Sequence, residues 1–371
     1  MTNMKLQLNL LCTFLVTAAL NVGAAEAQSS GITNRNAVSG SDAESTYWTP
    51  ERMRNAKAAP TPVIRNRASA RDAIPPGGKP QWSDGSPPEV EPTPADPGRI
   101  VPIQESAPTG VAPGSRGTSG IPFSTARVSP DSAVNTYPHR AAGKLFYVMN
   151  GGNWVCSASV IDFRVIITAA HCVYNTNTNT WGSNFLFVPS YNATLTTQPY
   201  GTWGWAHARV LNNWINLTSE SYPNRYDFAL IQSTDRTIGG TVRTLGGYVG
   251  WLGWHTHQLI GNHVTQIGYP TNLDSGGRMI RNDSQVFSAN SGWNGEIGSA
   301  MFQGASGGPW VQDFGTIASG QTITSTGDNR VTGVSSYVFL DTAVQKYGAT
   351  VLHGEFPPML NVICARRPGN C

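Results

Sequence analysis

The stretch Val165-Ile166-Ile167-Thr168-Ala169-Ala170-His171-Cys172 joins an apolar, β-branched run to a histidine and a cysteine. Such a run predicts a buried β-strand, with His171 standing at its end. Cys156 lies sixteen residues earlier, and a disulfide between Cys156 and Cys172 would tie this strand to its neighbour. A histidine held in this way has the rigidity that a general base needs. Taken alone, however, a single histidine is more often structural than catalytic.

The surrounding sequence is typical of an all-β domain. From about residue 128, short β-rich runs alternate with turns of Gly, Asn, Ser and Thr, and nine of the eleven tryptophans lie there. Many short strands at near-regular spacing predict a β-sandwich or barrel. A proline in its first turn suits a short final helix over Phe356–Ile363. The clearest predicted strands are Leu145–Met149, Val165–Thr168, Phe228–Gln232, Val264–Gly268, Val331–Phe339 and Thr350–Leu352.

The overall composition excludes several classes of protein. Of 371 residues only 13% are charged, the net charge is +3, and 40 Gly and 25 Pro indicate many loops. These values argue against a coiled coil, a helical bundle or a strongly basic nucleic-acid binder. Residues 128–371 contain 13 Lys/Arg and 12 Asp/Glu, so that neither nucleic acid nor an anionic membrane is an expected partner.

Residues 1–27 have the features of a secretory signal peptide. Lys5 precedes an apolar run of about 13 residues, which is too short for the ~20 of a spanning helix, and Ala25-Glu26-Ala27 suits a signal peptidase. We therefore expect a secreted protein, either extracellular or periplasmic. Cleavage would remove Cys12, and four cysteines in an oxidising compartment predict two disulfides. Three pairings are open, of which we favour Cys156–Cys172 with Cys364–Cys371. No C-x-x-C is present, so we expect no metal.

Residues 28–127 differ in composition from the rest of the chain. This segment holds 15 of the 25 prolines, few aromatic residues and no persistent hydrophobic period. Such a sequence buries too little apolar surface to offset the entropy of ordering it. We expect a mostly disordered, Pro-rich pro-segment or linker. It would serve either as an inhibitory segment or as an export segment, and it would be removed near Arg127 or Arg140.

Two further short motifs point to chemistry. Asp227 opens the apolar run Phe228–Ile231, which would put its carboxylate at the edge of a core, where a histidine N–H is a suitable partner. In Gly304-Ala305-Ser306-Gly307-Gly308-Pro309 the glycines allow a tight turn that presents Ser306. The same turn can aim the N–H groups of Gly304 and Ser306 at one point, as an oxyanion hole requires.

Together these motifs resemble the chymotrypsin-like serine endopeptidases, whose TAAHC and GxSGGP signatures stand here at Thr168–Cys172 and Gly304–Pro309. The resemblance covers about residues 128–371. It is closest to the bacterial glutamyl endopeptidases, which share the lead-in Tyr137–Ala141, the stretch Gly268–Pro270 and a terminal helix.

The resemblance implies two antiparallel β-barrels with the active site between them. Ser306 would be the nucleophile, His171 the base and then acid, and Asp227 the group that orients His171. Ser336 would lie against Asp227, beside an edge strand that pairs with the substrate backbone. We expect a protein or peptide substrate, no cofactor and a monomeric enzyme. Asp162 and Asp235 are rivals for the place of Asp227.

Departures from the family's pattern limit the specificity that can be predicted. Ala305 replaces the aspartate that captures the new N-terminus in trypsin-type activation, and Ala300 leaves no carboxylate for binding Lys or Arg. Ser335 stands where the acid-specific enzymes place a histidine. Because Ser335 cannot supply the positive charge of that histidine, we favour a small or apolar residue over Glu before the cut. The predicted pocket residues are Ala300, Met301, Ser335, Ser336, Tyr337 and Val338.

Two other functional classes deserve comparison. An α/β-hydrolase esterase would need a helix directly after Ser306, which Gly307-Gly308-Pro309 would break, and an Asp and a His downstream in that order. We reject it because only His353 follows as a histidine. A protease-like binding protein or adhesin without turnover stays open, although the complete triad argues against it.

Overall fold

The computed structural model describes residues 31–37, 46–64, 79–90, 122–195, 198–217, 224–257, 259, 261–287, 293–315, 328–339 and 345–371. The predicted signal peptide, residues 1–27, lies outside these residues. Among the described residues no helix is both long and apolar enough to cross a membrane.

The first sheet has eight strands. Seven of them follow the order β1-β12-β13-β8-β7-β6-β11, and the eighth, β2, pairs with β7 outside this path. Every pairing along the path is antiparallel, whereas the β2–β7 pairing is parallel. A bridge between Phe187 and Trp203 curls the sheet toward closure, since it links β11 to the residues before β12. The strands are β1 Ile32–Asn36, β2 Lys57–Ala58, β6 Ala142–Met149, β7 Gly152–Asp162, β8 Val165–Thr168, β11 Ser183–Pro189, β12 Trp205–Leu211 and β13 Ala229–Ser233.

The second sheet has ten strands, seven of them in the order β19-β22-β21-β20-β17-β18-β5. The strand β21 also pairs in parallel with β16 and β3, and β16 pairs with β4. Asn282 on β18 donates to Gly298 O on β19 at 3.0 Å, which links the terminal strand β19 to a strand near the other end of the order. The strands are β3 Val63–Ile64, β4 Trp82–Ser83, β5 Phe123–Arg127, β16 Gly253–His255, β17 His263–Gly268, β18 Ile280–Gln285, β19 Asn294–Gly298, β20 Pro309–Gln312, β21 Arg330–Phe339 and β22 Lys346–Val351.

Four α-helices, four short 3₁₀ helices and two small hairpins complete the described fold. The longest helix is the final one, α4, in which Phe356, Met359 and Ile363 are buried in a core shared by both sheets. The predicted final helix is therefore confirmed. The helices are α1 Pro50–Asn55, α2 Asn212–Ile215, α3 Leu245–Val249 and α4 Phe356–Ala365, and the hairpins are β9 Tyr174–Asn175 with β10 Thr180–Trp181, and β14 Arg236–Ile238 with β15 Thr241–Arg243.

The architecture confirms the predicted all-β class with two curled, mostly antiparallel β-barrels. The stretch quoted first forms β8, whose four residues are all buried between β7 and β13. The predicted strand Thr350–Leu352 is the least accurate, because β22 begins at Lys346 and ends at Val351. Both favoured disulfides are present, Cys156–Cys172 and Cys364–Cys371.

Part of the Pro-rich segment differs from the expectation of disorder. Within residues 28–127 the described parts are 31–37, 46–64, 79–90 and 122–127, and they contain β1 to β5 and α1. Trp48 is buried in the core at 4% exposure, and its indole N–H donates to Asn184 O. Backbone pairing with strand edges and a buried tryptophan supply the stabilisation that the segment's own composition lacks.

Arg127 and Arg140, the two alternatives for the processing site, have different surroundings. Arg140 is 2% exposed, and its Nε donates to Val249 O at 3.0 Å, which argues against cleavage after Arg140 in the folded chain. Arg127 ends β5 and forms a salt bridge with Asp274 at 2.5 Å, and its side chain is 38% exposed.

Candidate active site

His171 lies in a 3₁₀ turn, Ala170–Cys172, that directly follows β8. The Cys156–Cys172 disulfide joins this turn to β7, with the two Cα atoms 6.4 Å apart. The imidazole Nδ1 of His171 lies 2.8 Å from Asp227 Oδ2, and the His171 backbone N–H donates to Asp227 Oδ1 at 2.9 Å. A strand end, a disulfide and a carboxylate thus hold the imidazole in one orientation.

Asp227 lies just before β13 and is fully buried. Its Oδ2 accepts a third hydrogen bond from Ser336 Oγ at 2.5 Å. The register of β21 shifts between Ser335 and Tyr337, and such a bulge turns the Ser336 side chain away from the ladder toward the carboxylate. Hydrogen bonds to both oxygens stabilise a carboxylate that burial would otherwise disfavour.

Ser306 lies in the predicted glycine turn, whose backbone requires glycine at two positions. Gly304 has φ +92° and Gly307 has φ +77°, the left-handed region that favours glycine. A Cβ on Gly307 would lie 2.0 Å from Thr168 Oγ1, and one on Gly304 would lie 2.6 Å from Tyr269 O. The turn is therefore packed directly against the strand end that carries His171.

Ser157 on β7 fastens this turn, a role that the sequence analysis missed. Its backbone N–H donates to Ser306 O at 2.8 Å, and its Oγ donates to Gly304 O at 2.9 Å. The same Oγ accepts the Tyr269 N–H at 2.9 Å. No local pattern could have identified Ser157, because it lies 147 residues from Gly304 and 112 from Tyr269.

The Ser306 hydroxyl has an unexpected partner from the Pro-rich segment. Its Oγ lies 3.0 Å from Thr61 Oγ1, and both residues are buried. The Nε2 atom of His171 is buried and has no hydrogen-bond partner among the described residues. Among the described residues, the Ser306 hydroxyl thus interacts with Thr61 and makes no hydrogen bond with His171.

A cavity of about 410 Å³ lies beside His171. It is lined by residues 59–63 and by nine residues of the first barrel, four of which are Tyr or Trp. The sequence analysis predicted none of these residues except His171. The first-barrel residues are Tyr147, Met149, Asn150, Trp154, His171, Tyr174, Asn175, Asn177 and Trp214.

The predicted pocket residues are mostly buried. Met301 and Val338 are fully buried in the apolar cluster of the second barrel, and the carbonyl of the half-buried Ala300 accepts a hydrogen bond from Asn272 at 2.8 Å. Tyr337 is fully buried. The hydroxyl of Ser335 is buried, and it accepts hydrogen bonds from the Trp310 indole N–H and the Gln266 amide, both at 3.0 Å.

The two rival aspartates lie away from His171 and have other partners. Asp162 accepts the Phe163 N–H at 2.8 Å, and burial raises its pKa to about 6, against that hydrogen bond. Asp235 forms salt bridges with Arg164 and Arg367 at 2.6 and 2.7 Å. Burial opposes ionisation of Asp235, but the two arginines hold its pKa below its usual range. Asp227 is the aspartate that contacts His171.

Cys156, His171 and Cys172 place potential ligand atoms within 4.8 Å of one another. The two sulfur atoms belong to a disulfide, and a metal site needs thiolates instead. This cluster therefore does not fit a metal ion.

Comparison with known proteins relates the barrels to a large family. The trypsin family model matches residues 133–351. The glutamyl endopeptidase of Bacillus licheniformis is 26% identical over 213 residues, which cover 55% of this chain and 59% of that protein. The chain thus matches less than two thirds of that relative's length.

Solved structures of proteases align with this chain at low sequence identity. A Glu endopeptidase in complex with MPD aligns with a TM-score of 0.50 and 19% identity, over 65% of this chain and 97% of that one. The thermostable serine protease AL20 of an extremophilic microorganism aligns with a TM-score of 0.49 and 22% identity, over 62% and 98%. Anisep of Arthrobacter nicotinovorans aligns with a TM-score of 0.48 and 23% identity, over 61% and 96%.

Proposed function

Because this chain belongs to the trypsin family, the chymotrypsin-like serine endopeptidases, we propose that it hydrolyses peptide bonds with Ser306 as the nucleophile. His171 Nε2 accepts the Ser306 proton while Oγ attacks the carbonyl carbon. The tetrahedral intermediate collapses as the same imidazole protonates the leaving amine. Water, deprotonated by His171, then attacks the acyl-enzyme and releases Ser306.

The observation that carries this proposal is the pairing of His171 with a fully buried Asp227 beside the glycine turn of Ser306. With Asp227 on the Nδ1 side, the proton of the neutral ring stays on Nδ1, and Nε2 is left as the base. Asp227 also stabilises the imidazolium that forms in the transition state. The Gly304 and Ser306 N–H groups would stabilise the oxyanion.

For specificity we favour small or apolar side chains before the cut. Met301 and Val338 are apolar and buried, and Ala300 adds no charge. The hydroxyl of Ser335, at the position of the histidine in acid-specific enzymes, is engaged by Trp310. These positions supply no cation that could pair with a Glu carboxylate. Moving that carboxylate from water into the pocket would therefore be costly. The glutamyl endopeptidase relative makes Glu the rival preference.

We also propose that the enzyme is made as a secreted precursor. The N-terminal sequence has a signal-peptide pattern, and both disulfides suit an oxidising compartment. The Pro-rich segment would be removed during maturation, in line with the predicted processing near Arg127. N-terminal sequencing of the active secreted form tests this step, and an active form that retained the segment would contradict it.

The decisive experiment is digestion of a mixed peptide library by the secreted form, with mass spectrometry reading the residue before each cut. Ser306→Ala should lower turnover by several orders of magnitude, because the triad acts as a unit. Asp227→Asn should lower it by roughly 10⁴-fold, the effect known for this exchange in the family. Asp162→Asn removes a carboxylate elsewhere on the first barrel and should leave the rate unchanged.

The pattern of cuts separates the candidate functions. Cuts after small or apolar residues that disappear in Ser306→Ala support both the mechanism and the pocket. Cuts after Glu support the mechanism and overturn the pocket assignment. No cuts by a folded, correctly processed chain would favour the non-catalytic binding protein instead.

A further inference from the structure

The Pro-rich segment crosses the active site and pairs with both barrels. Lys57–Ala58 pairs in parallel with β7, and the Ala59 N–H donates to Val155 O at 3.0 Å. Val63–Ile64 pairs in parallel with β21, where the Val338 N–H donates to Pro62 O at 2.9 Å. Residues 57–64, the cleft segment, therefore bridge the two sheets over Ser306.

We propose that the cleft segment is a built-in ligand of the active site that excludes substrate until the precursor is processed. This inference rests on the proposed peptidase function. It identifies the chemistry that the cleft binds: an extended peptide with a hydroxyl side chain between two prolines, followed by an apolar residue.

Thr61 lies against the nucleophile Ser306 but presents no group that Ser306 can attack. Its Oγ1 lies 3.0 Å from Ser306 Oγ, so an alcohol lies against the nucleophile. Among the described residues, no hydrogen bond joins Ser306 to His171, whose buried Nε2 has no partner. Acyl transfer needs a carbonyl carbon at Ser306 and a base that can take its proton. The contact therefore blocks the chemistry without making the segment a substrate.

Pro60 and Pro62 prepare the segment for this position. Each proline fixes φ near −65° and has no N–H, which keeps the segment extended before it binds. Less conformational entropy is lost on binding, and no buried backbone donor is left without a partner at these two residues. At the two ends of the Pro60–Pro62 stretch, the Ala59 N–H donates to the first barrel and the Val338 N–H of the second barrel donates to Pro62.

Val63 supplies the apolar contact. It packs against the buried cluster of the second barrel that contains Met301 and Val338, which we assigned to the substrate pocket. Ile64 beside it is 8% exposed. The same apolar side chains would thus be available to a substrate only after Val63 leaves.

Contacts on both sides of the cleft segment hold it in place. Before it, β1 pairs with β12, and Trp48 is buried in the core. After it, β4 pairs with β16, and Asp84 forms a salt bridge with Arg330 at 2.5 Å. Tethering at both ends makes binding intramolecular, so that weak contacts suffice for high occupancy.

The test uses the full chain without its signal peptide, with chain length checked by mass spectrometry. Val63→Asp places a charge against the apolar cluster and should release the segment, raising the rate of peptide hydrolysis at least 10-fold. Val90→Asp is the matched control, because Val90 belongs to the same Pro-rich segment but is 59% exposed. Thr61→Val, which keeps the shape and removes the hydroxyl, should raise the rate several-fold, whereas Thr241→Val at an exposed hairpin should not.

Two readouts complete the experiment. Added in trans, a synthetic copy of residues 57–64 should inhibit the Val63→Asp protein and be recovered uncut, whereas a peptide of shuffled order should not inhibit. Hydrogen exchange at the Val338 amide reports docking without catalysis, and it should be slow in the wild type and in Val90→Asp but fast in Val63→Asp.

If intact wild type and Val63→Asp both hydrolyse peptides, and at equal rates, or if the Val338 amide exchanges fast in the wild type, the inference is overturned. If Val338 exchange responds as expected but no form hydrolyses peptides, the proposed peptidase function fails, and with it the inhibitory role, while the docked ligand stands.

Discussion

At the scale of single residues, two carboxylates of the first barrel show how surroundings decide the role of a side chain. Asp227 is fully buried but accepts hydrogen bonds from the His171 backbone, the His171 ring and Ser336. Asp162 accepts a backbone N–H from Phe163, and burial raises its pKa to about 6. Asp227 has the partners that an orienting carboxylate needs, whereas Asp162 is a destabilising charge at neutral pH.

We predict that Asp162→Asn stabilises the protein at pH 8 by about 1 to 2 kcal/mol, after allowing for solvent screening. The folded state holds the Asp162 proton up to about pH 6, and the unfolded state releases it near pH 4. The stability contributed by the protonated form is therefore lost as pH rises between these values, and Asn avoids this loss while still accepting the Phe163 N–H. Urea unfolding at pH 8 and pH 3.5 should show the gain only at pH 8.

Asp235→Asn is the matched control for this prediction. The pKa of Asp235 is lowered by Arg164 and Arg367 against the effect of burial, so its charge is stabilising above about pH 4. Its replacement should lower the free energy of unfolding at pH 8. A gain at pH 8 for both variants would indicate that net charge and not burial is responsible.

At the scale of elements, the turn around Ser306 depends on glycine for two separate reasons. Gly307 has a positive φ, and it also lies where a Cβ would meet Thr168 Oγ1 at 2.0 Å and Ser157 O at 2.5 Å. Gly240, in the turn between β14 and β15, has a similar φ of +78° but no heavy atom within 4 Å of such a Cβ. The pair therefore separates backbone strain from steric contact.

We predict that Gly307→Ala lowers the free energy of unfolding by roughly 3 kcal/mol and abolishes most of the activity, because strain and overlap add. Gly240→Ala should cost about 1 kcal/mol and leave the rate of hydrolysis unchanged. Thermal unfolding and peptide hydrolysis measure both effects. Comparable losses in the two variants would show that φ alone matters.

Strand prediction from sequence succeeded where burial is continuous and failed where an element is short. For β8, β13, β17 and β21 the predicted ends lie within one residue of the observed ends. The prediction succeeds because a buried strand consists of consecutive β-branched and apolar residues. The two-residue strands Lys57–Ala58 and Val63–Ile64 have no such signal. They are strands only because β7 and β21 offer edges to them.

At the scale of the whole molecule, the two disulfides stabilise different parts. Cys156–Cys172 holds the turn of His171 to β7. Cys364–Cys371 closes the C-terminal tail, where Asn370 O accepts the Arg164 N–H at 3.0 Å and so attaches the tail to the first barrel. The tail contacts none of the triad residues among its described hydrogen bonds.

We predict that replacing Cys364 and Cys371 by Ala lowers the free energy of unfolding by about 2 kcal/mol. Replacing Cys156 and Cys172 should lower it by about 3 kcal/mol, because the Cys156–Cys172 disulfide closes a longer loop. Only the second pair should also lower the hydrolysis rate of the folded protein, because His171 loses its attachment. Melting curves and rates measured well below both transitions check this. Loss of activity in the first pair would show that the tail supports the site.

The local sequence was sufficient for the all-β class and the family and for proposing His171, Asp227 and Ser306, because strand patterns, turn glycines and short motifs lie in neighbouring residues. It favoured the two disulfides that are present but left the other pairings open. Only the tertiary structure revealed that Ser157 fastens the Ser306 turn and that Thr61, 245 residues from Ser306, lies against its hydroxyl. Composition predicted disorder for the Pro-rich segment, since alone it cannot bury enough apolar surface. Two barrels with free strand edges provide that surface, and contacts between such distant residues leave no periodic trace in the chain.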